Sequence, residues 1–210
     1  MARRPGQTSP KLTAASRRAR LIRRKVGLLL LAGIVVAVLI FADRAGLLGR
    51  RRPGDLARYD GREALVVHVV DGDTLDVDIP DVKLGYPKTR IRLWGVDTPE
   101  TVKPYCPVQY FGPQASLFAK QQLLGKRVKL KLLPHSTRGK YGRVLAYVYL
   151  PTGLLFNREI IAQGLGYADP RFSHPHKRDF ADAMTQAKKN RQGLWKNPKP
   201  KDWPYYLRKK

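Results

Sequence analysis

Cysteine is nearly absent from this chain: its 210 residues hold one, Cys106. An intramolecular disulfide is therefore excluded, and so is a cysteine-based zinc site. Cys106 sits in the loop-like stretch Lys103-Pro104-Tyr105-Cys106-Pro107, with no histidine near it in sequence to activate it as a nucleophile. Acid is scarce too, with 16 Asp and Glu against 41 Lys and Arg and a formal net charge of +25. Internal repeats are missing. A clean small-x-small cleavage site is also missing after the one long apolar run, and no cysteine follows closely to carry a lipid.

The positive charge is unevenly spread. Residues 1–59 carry 14 basic and two acidic residues, 60–195 carry 21 and 13, and 196–210 carry six and one. Such basicity suits a polyanionic partner, either nucleic acid or an anionic membrane surface. Residues 26–42, VGLLLLAGIVVAVLIFA, form an uncharged stretch at the short end of what spans a bilayer. Nine basic residues and no acid precede it, so the positive-inside bias keeps the N-terminus cytoplasmic and sends the rest across. That basic leader is longer than a signal peptide's, which favours an uncleaved anchor; a cleaved signal would release the rest as a secreted protein. The expected division is a basic cytoplasmic segment (1–25), a transmembrane signal anchor (26–42), a basic linker (43–60), a globular domain (61–195) and a basic aromatic tail (196–210).

Within the globular part, residues 64–70 are an apolar run of strand length, and 74–79 alternate strictly, as a half-buried strand does. Asp71-Gly72-Asp73 between them is a tight-turn signature. Residues 90–94, 127–132 and 143–149 alternate again. Helices are expected over about 113–124, opened by Gly112-Pro113, over about 155–163 and over about 176–190. Five short strands with three helices make an α+β, mainly β fold, and the five-stranded oligonucleotide-binding (OB-fold) barrel fits best. The four histidines read as structural, and His174-Pro175-His176 alone is a weak pointer to a transition metal.

Three motifs carry chemistry. They are Asp71-Gly72-Asp73-Thr74, Arg92-Leu93-Trp94-Gly95-Val96-Asp97-Thr98-Pro99-Glu100 and Lys140-Tyr141-Gly142-Arg143. Carboxylates from separate motifs can share a hard cation, which takes oxygen ligands. Glu100 can accept a proton from water. Two arginines can grip a phosphate and neutralise the charge that grows in a transition state. Each motif alone has a plain structural reading: a turn carboxylate, a turn or helix opening, an outward strand charge.

Together with Phe111-Gly112-Pro113-Gln114-Ala115-Ser116 and Ala162-Gln163-Gly164-Leu165, these motifs make residues 65–195 resemble the staphylococcal nuclease family. The resemblance implies a calcium-dependent nuclease on a five-stranded barrel, cutting DNA and RNA with little sequence preference. It implies that Asp73 and Asp97 bind calcium through their carboxylates and Thr98 through its backbone carbonyl. Glu100 would be the general base, Arg92 and Arg143 would stabilise the transition state, and Lys140 and Tyr141 would contact substrate phosphate. Gly139 stands where the best-known members carry an acid, the hairpin between Thr74 and Arg92 is longer than in short members, and no residue is assigned to base stacking. A monomer without an obligate protein partner is expected. The alternative is a non-catalytic nucleic-acid-binding barrel tethered to the membrane, and such a protein should have lost a carboxylate or an arginine of the set.

Overall fold

The computed structural model describes residues 14–44, 54–101, 107–197 and 203–208. Residues 1–13 of the basic segment, 45–53 of the expected linker, and Cys106 lie outside these. The chain divides into two compact units, residues 1–52 and 53–210.

The first unit is a helix, α1 (Ala14–Arg44). Its stretch Arg23–Phe41 is long and apolar enough to cross a membrane by length and composition, and none of it is buried against protein. Nineteen helical residues rise about 28 Å, close to the ~30 Å hydrocarbon core of a bilayer. A helix also satisfies its own backbone polar groups, which hydrocarbon cannot do.

The second unit begins with a short helix, α2 (Asp55–Tyr59). Then come β1 (Glu63–Val69), β2 (Thr74–Val77), β3 (Thr89–Leu93), the two-residue β4 (Val96–Asp97) and α3 (Gly112–Leu123). β5 (Arg127–Lys131), β6 (Val144–Tyr149), α4 (Phe156–Ala162), β7 (Tyr167–Ala168) and α5 (Lys177–Lys189) complete it. Five strands close into a barrel in the order β1-β2-β3-β6-β5. All pairs are antiparallel except β3–β6, whose parallel pairing requires the long crossover that α3 and β5 provide. Closure leaves the barrel strands without an open edge.

Burial follows the alternation where one strand face meets water. β5 buries Val128 and Leu130 and exposes Arg127, Lys129 and Lys131, as its pattern predicts. β6 is buried along nearly its whole length. Val148 pairs with the core residue Leu130, while Tyr147 lies beneath His174 and Phe180 at the start of α5. The outer face of β6 is therefore covered by helical structure, and its apolar residues run without a break. β4 and β7, which the sequence pattern did not announce, pair as a separate two-stranded sheet.

Two boundaries differ from expectation. Residues 54–60, read as the end of a linker, belong to the domain. Tyr59 is fully buried in the core, Asp60 accepts from Leu132 N at 2.8 Å and pairs with Lys131 at 2.9 Å, and Asp55 pairs with Arg138 at 2.7 Å. Five residues are too few for helical periodicity to show, so the long-range ion pairs hold what local pattern cannot. At the other end, Trp203 and Leu207 pack onto the cluster of Tyr167, Ala187, Leu194 and Trp195, so the aromatic tail folds back over the domain.

Arg138 joins α2 to the β2–β3 hairpin. It holds Asp55 and Asp81, each through two nitrogen–oxygen contacts of 2.7–3.0 Å, and its side chain is 8% exposed. Removing one partner of such a network strands the other charges in the interior, at a cost of about 3–5 kcal/mol. Arg138→Leu is expected to lose that much in urea unfolding of the domain. A loss below about 1 kcal/mol would mean that water enters and solvates both aspartates.

Candidate active site

The first site residues come from the β1–β2 turn. Asp73 N donates to Asp71 Oδ1 at 3.1 Å, an Asx-type turn, and Leu93 N donates to Asp73 O at 2.9 Å, tying the turn to β3. A side chain at Gly72 would lie 2.9 Å from the Thr98 side chain, so the missing Cβ lets the turn press against Thr98. The Asp73 side chain is 2% exposed. Its Oδ1 accepts from Thr74 Oγ1 at 2.9 Å, and its Oδ2 accepts from Thr98 N at 2.8 Å and Thr98 Oγ1 at 3.0 Å. Arg92 Nη1 pairs with Oδ1 as well.

Register brings the second motif to the first. Thr74 lies opposite Arg92 across β2–β3, and Arg92 lies opposite Leu145 across β3–β6. Arg92 then reaches Asp97 Oδ1 through Nη2 at 2.8 Å, so one guanidinium bridges both carboxylates. Asp97 sits on β4, aligned by pairing with Tyr167 of β7. Its other oxygen, Oδ2, accepts from the Tyr206 hydroxyl at 2.9 Å. Burial, and then the Asp97 charge, push the Tyr206 phenol well above the usual tyrosine range. Glu100 is held at both ends of its backbone by Gln109: its N donates to Gln109 Oε1 at 2.8 Å and its O accepts from Gln109 N at 2.9 Å. Its carboxylate accepts from Thr101 N at 3.0 Å.

Arg143 follows the turn at Gly142, whose φ of +78° suits glycine. The guanidinium is half-buried, touches Thr74 Oγ1 at 3.4 Å, and forms no ion pair among the described residues. Burial and the neighbouring Arg92 charge push it down from the ordinary arginine range, against the pull of Asp71. Burial also pushes the Asp71 carboxyl up, despite Arg92 and Arg143. These arginines and aspartates thus share one field.

One open cleft of about 940 Å³ collects Asp73, Arg92, Asp97, Thr98, Glu100, Tyr141 and Arg143 along its wall. Lys140 is the exception among the expected residues. It is exposed and does not line the cleft, with Nζ 4.8 Å from the centroid of the Tyr141 ring. The cleft also takes in Asp71, which the first motif contains without a role of its own, and Asp76, Arg90 and Arg171, which sequence reasoning did not single out. Gln109 and Tyr206 were missed as well. Apart from Asp71, none carries a local signal, because each joins the site through tertiary contact. Among the described residues, no three His, Cys, Asp or Glu side chains gather as a metal cage.

Comparison with known proteins places this arrangement. A family profile described as "Staphylococcal nuclease homologue" matches residues 90–197. The chain is 34% identical to a "Thermonuclease" of Staphylococcus hyicus over 171 residues, which is 81% of this chain and 95% of that one. The chain belongs to the staphylococcal nuclease family. It is 39% identical to a "Thermonuclease" of Staphylococcus intermedius over 80% of this chain and 95% of the relative. An "Endonuclease YncB" of Bacillus subtilis is 38% identical over 46% of this chain and 43% of its own length. The closed barrel suits the family's OB-fold.

Asp76 lines the same cleft. Burial opposes its charge, but hydrogen bonds from Arg90 (2.8 and 3.1 Å) and Lys88 (2.8 Å) outweigh it and hold the carboxyl at about 2, below the ordinary 3.8. A depressed folded value adds stability above the unfolded pKa and loses it as pH falls through the folded one. The stability gap between wild type and Asp76→Asn should therefore be widest above about pH 4 and shrink by about 2 kcal/mol by pH 2, read from urea midpoints. A gap constant across that range would mean that the ion pairs add nothing.

Proposed function

We propose that this chain is a calcium-dependent nuclease that hydrolyses phosphodiester bonds in DNA and RNA with little sequence preference. The carrying observation is Arg143: a half-buried guanidinium with no ion pair among the described residues, in the same cleft as Asp73, Asp97 and Glu100. A buried cation without an anion is a site for one, and the planar fork of arginine matches phosphate oxygens.

The donor set suits a hard cation. Arg92 bridges Asp73 and Asp97, so both carboxylates face a single positive centre, and every donor there is oxygen. The Asp73 and Asp97 carboxylates and the Thr98 backbone carbonyl would hold the ion, with room left for water and substrate oxygens. The chemistry that a bound calcium would supply there is polarisation of the phosphoryl oxygen and neutralisation of growing charge. Glu100 accepts a proton from the attacking water as its oxygen bonds to phosphorus and the far P–O bond breaks. Arg143 and Arg92 stabilise the equatorial charge, and Tyr141 and Lys140 contact a flanking phosphate. The chain works as a monomer.

Cleavage of labelled DNA and RNA by the full-length protein is expected with calcium and lost with chelator. Arg143→Lys keeps the charge but loses the fork, and should cost on the order of 10²–10³ in turnover at saturating calcium. Cleavage within about threefold of wild type would make Arg143 a bystander, and no cleavage by wild type would favour a binding-only barrel.

The nine basic residues before the apolar stretch 26–42, and that stretch itself, support an anchored protein whose barrel lies outside the cytoplasm. Protease added to intact cells or spheroplasts should then digest residues 61–195. Full protection until lysis would reverse the orientation, and a mature N-terminus beyond residue 42 would mark a cleaved signal and a secreted nuclease.

A further inference from the structure

We propose that the C-terminal segment 203–208 is part of the active site, and that Tyr206 is a positioning residue for Asp97. This rests on the nuclease reading above and adds a residue to its site.

The two carboxylates bridged by Arg92 are held differently. Asp73 is buried in a turn, with hydrogen bonds to both oxygens from Thr74 and Thr98, its neighbours in the site. Asp97 lies on a two-residue strand and its side chain is 26% exposed. Arg92 fixes its Oδ1 at 2.8 Å. Arg171 Nη2 approaches Oδ2 only to 4.0 Å, beyond hydrogen-bond distance. The Tyr206 hydroxyl, at 2.9 Å, is therefore the short contact that fixes the second oxygen and with it the plane of the carboxylate.

The tyrosine is itself anchored. Arg171 lies 4.2 Å from the centroid of its ring. Arg171 is gripped by Asp169 through Nε at 2.9 Å and Nη2 at 2.6 Å, and it donates to the Tyr205 hydroxyl at 3.2 Å. Asp169 follows β7 directly and its N donates to Gly95 O at 3.0 Å, so the grip originates beside the strand that carries Asp97. Trp203 packs edge-on against Trp195 with centroids 5.6 Å apart, and Arg208 Nε donates to Trp203 O at 2.7 Å, closing the segment on itself.

The chemistry suits the role. A phenol donates one hydrogen bond and carries no charge, so it orients a carboxylate without competing with a cation for its negative charge. A lysine or arginine at this position would do both. Outer-shell donors to metal-binding carboxylates typically change metal affinity by roughly 10–100-fold when removed.

The test is isothermal calorimetry with calcium on the full chain in detergent, for wild type, Tyr206→Phe and Tyr206→Ala, with thermal midpoints and cleavage kinetics alongside. The Phe variant keeps the ring and loses the hydroxyl. It should weaken calcium binding by at least about tenfold and lower kcat, with KM and thermal midpoint near wild type. A role in packing alone predicts the reverse: the Phe variant matches wild type in calcium affinity and kcat, and only the Ala variant loses stability. That result overturns the inference while an active wild type leaves the nuclease reading standing. A wild type that neither binds calcium nor cleaves overturns the nuclease reading, and the inference with it.

Discussion

Asp73 has 2% of its side chain exposed, and a carboxylate buried that deeply must be matched by donors on every side. The donors come from Thr74 at the start of β2, Arg92 on β3, and the main chain and hydroxyl of Thr98 just after β4. Meeting the needs of this one group therefore brings three strand segments to one point. The same contacts aim Arg92 at Asp97 and set the start of the loop that carries Glu100. The barrel supplies rigid strands, and the buried carboxylate determines how their ends converge.

Among the described residues, most charge around that point is balanced by pairing. Asp76 is held by Arg90 and Lys88, Asp81 and Asp55 by Arg138, and Asp169 by Arg171. Arg143 stands apart, half-buried and without an ion pair among the described residues. A surface in which most charges are matched internally makes an unmatched cation a strong attractor for an anion. The excess positive charge on the flanks acts at longer range, concentrating polyanions near the cleft without choosing where they bind.

The site is also layered. Thr98 and Thr74 hold Asp73, Gln109 holds the backbone of Glu100, and Tyr206 holds Asp97. Rate in such a site depends on donors that are in place before charge develops, so the second layer matters as much as the first. Of these supports, only Thr74 is a sequence neighbour of the group it holds; Thr98 lies 25 residues from Asp73. Gln109 lies nine residues from Glu100, and Tyr206 lies 109 residues from Asp97.

The sequence by itself determined the strands with one wet face, because period-two alternation records which side meets water, as in β5 with Val128 and Leu130 inside. It also determined the helix starts and stops, the apolar stretch of α1, and the acids and arginines of the three motifs, because these are local chemistry. Only the tertiary structure decided the rest. α2 is too short to show a period and stands on Arg138 and the buried Tyr59. β4 and β7, two residues each, exist only by pairing with one another. The aromatic tail reads as a basic run until Trp203 meets Trp195 and Tyr206 meets Asp97. In each case the stabilising partner lies far along the chain. A pattern of neighbours cannot record a contact whose free energy appears only when the barrel has closed.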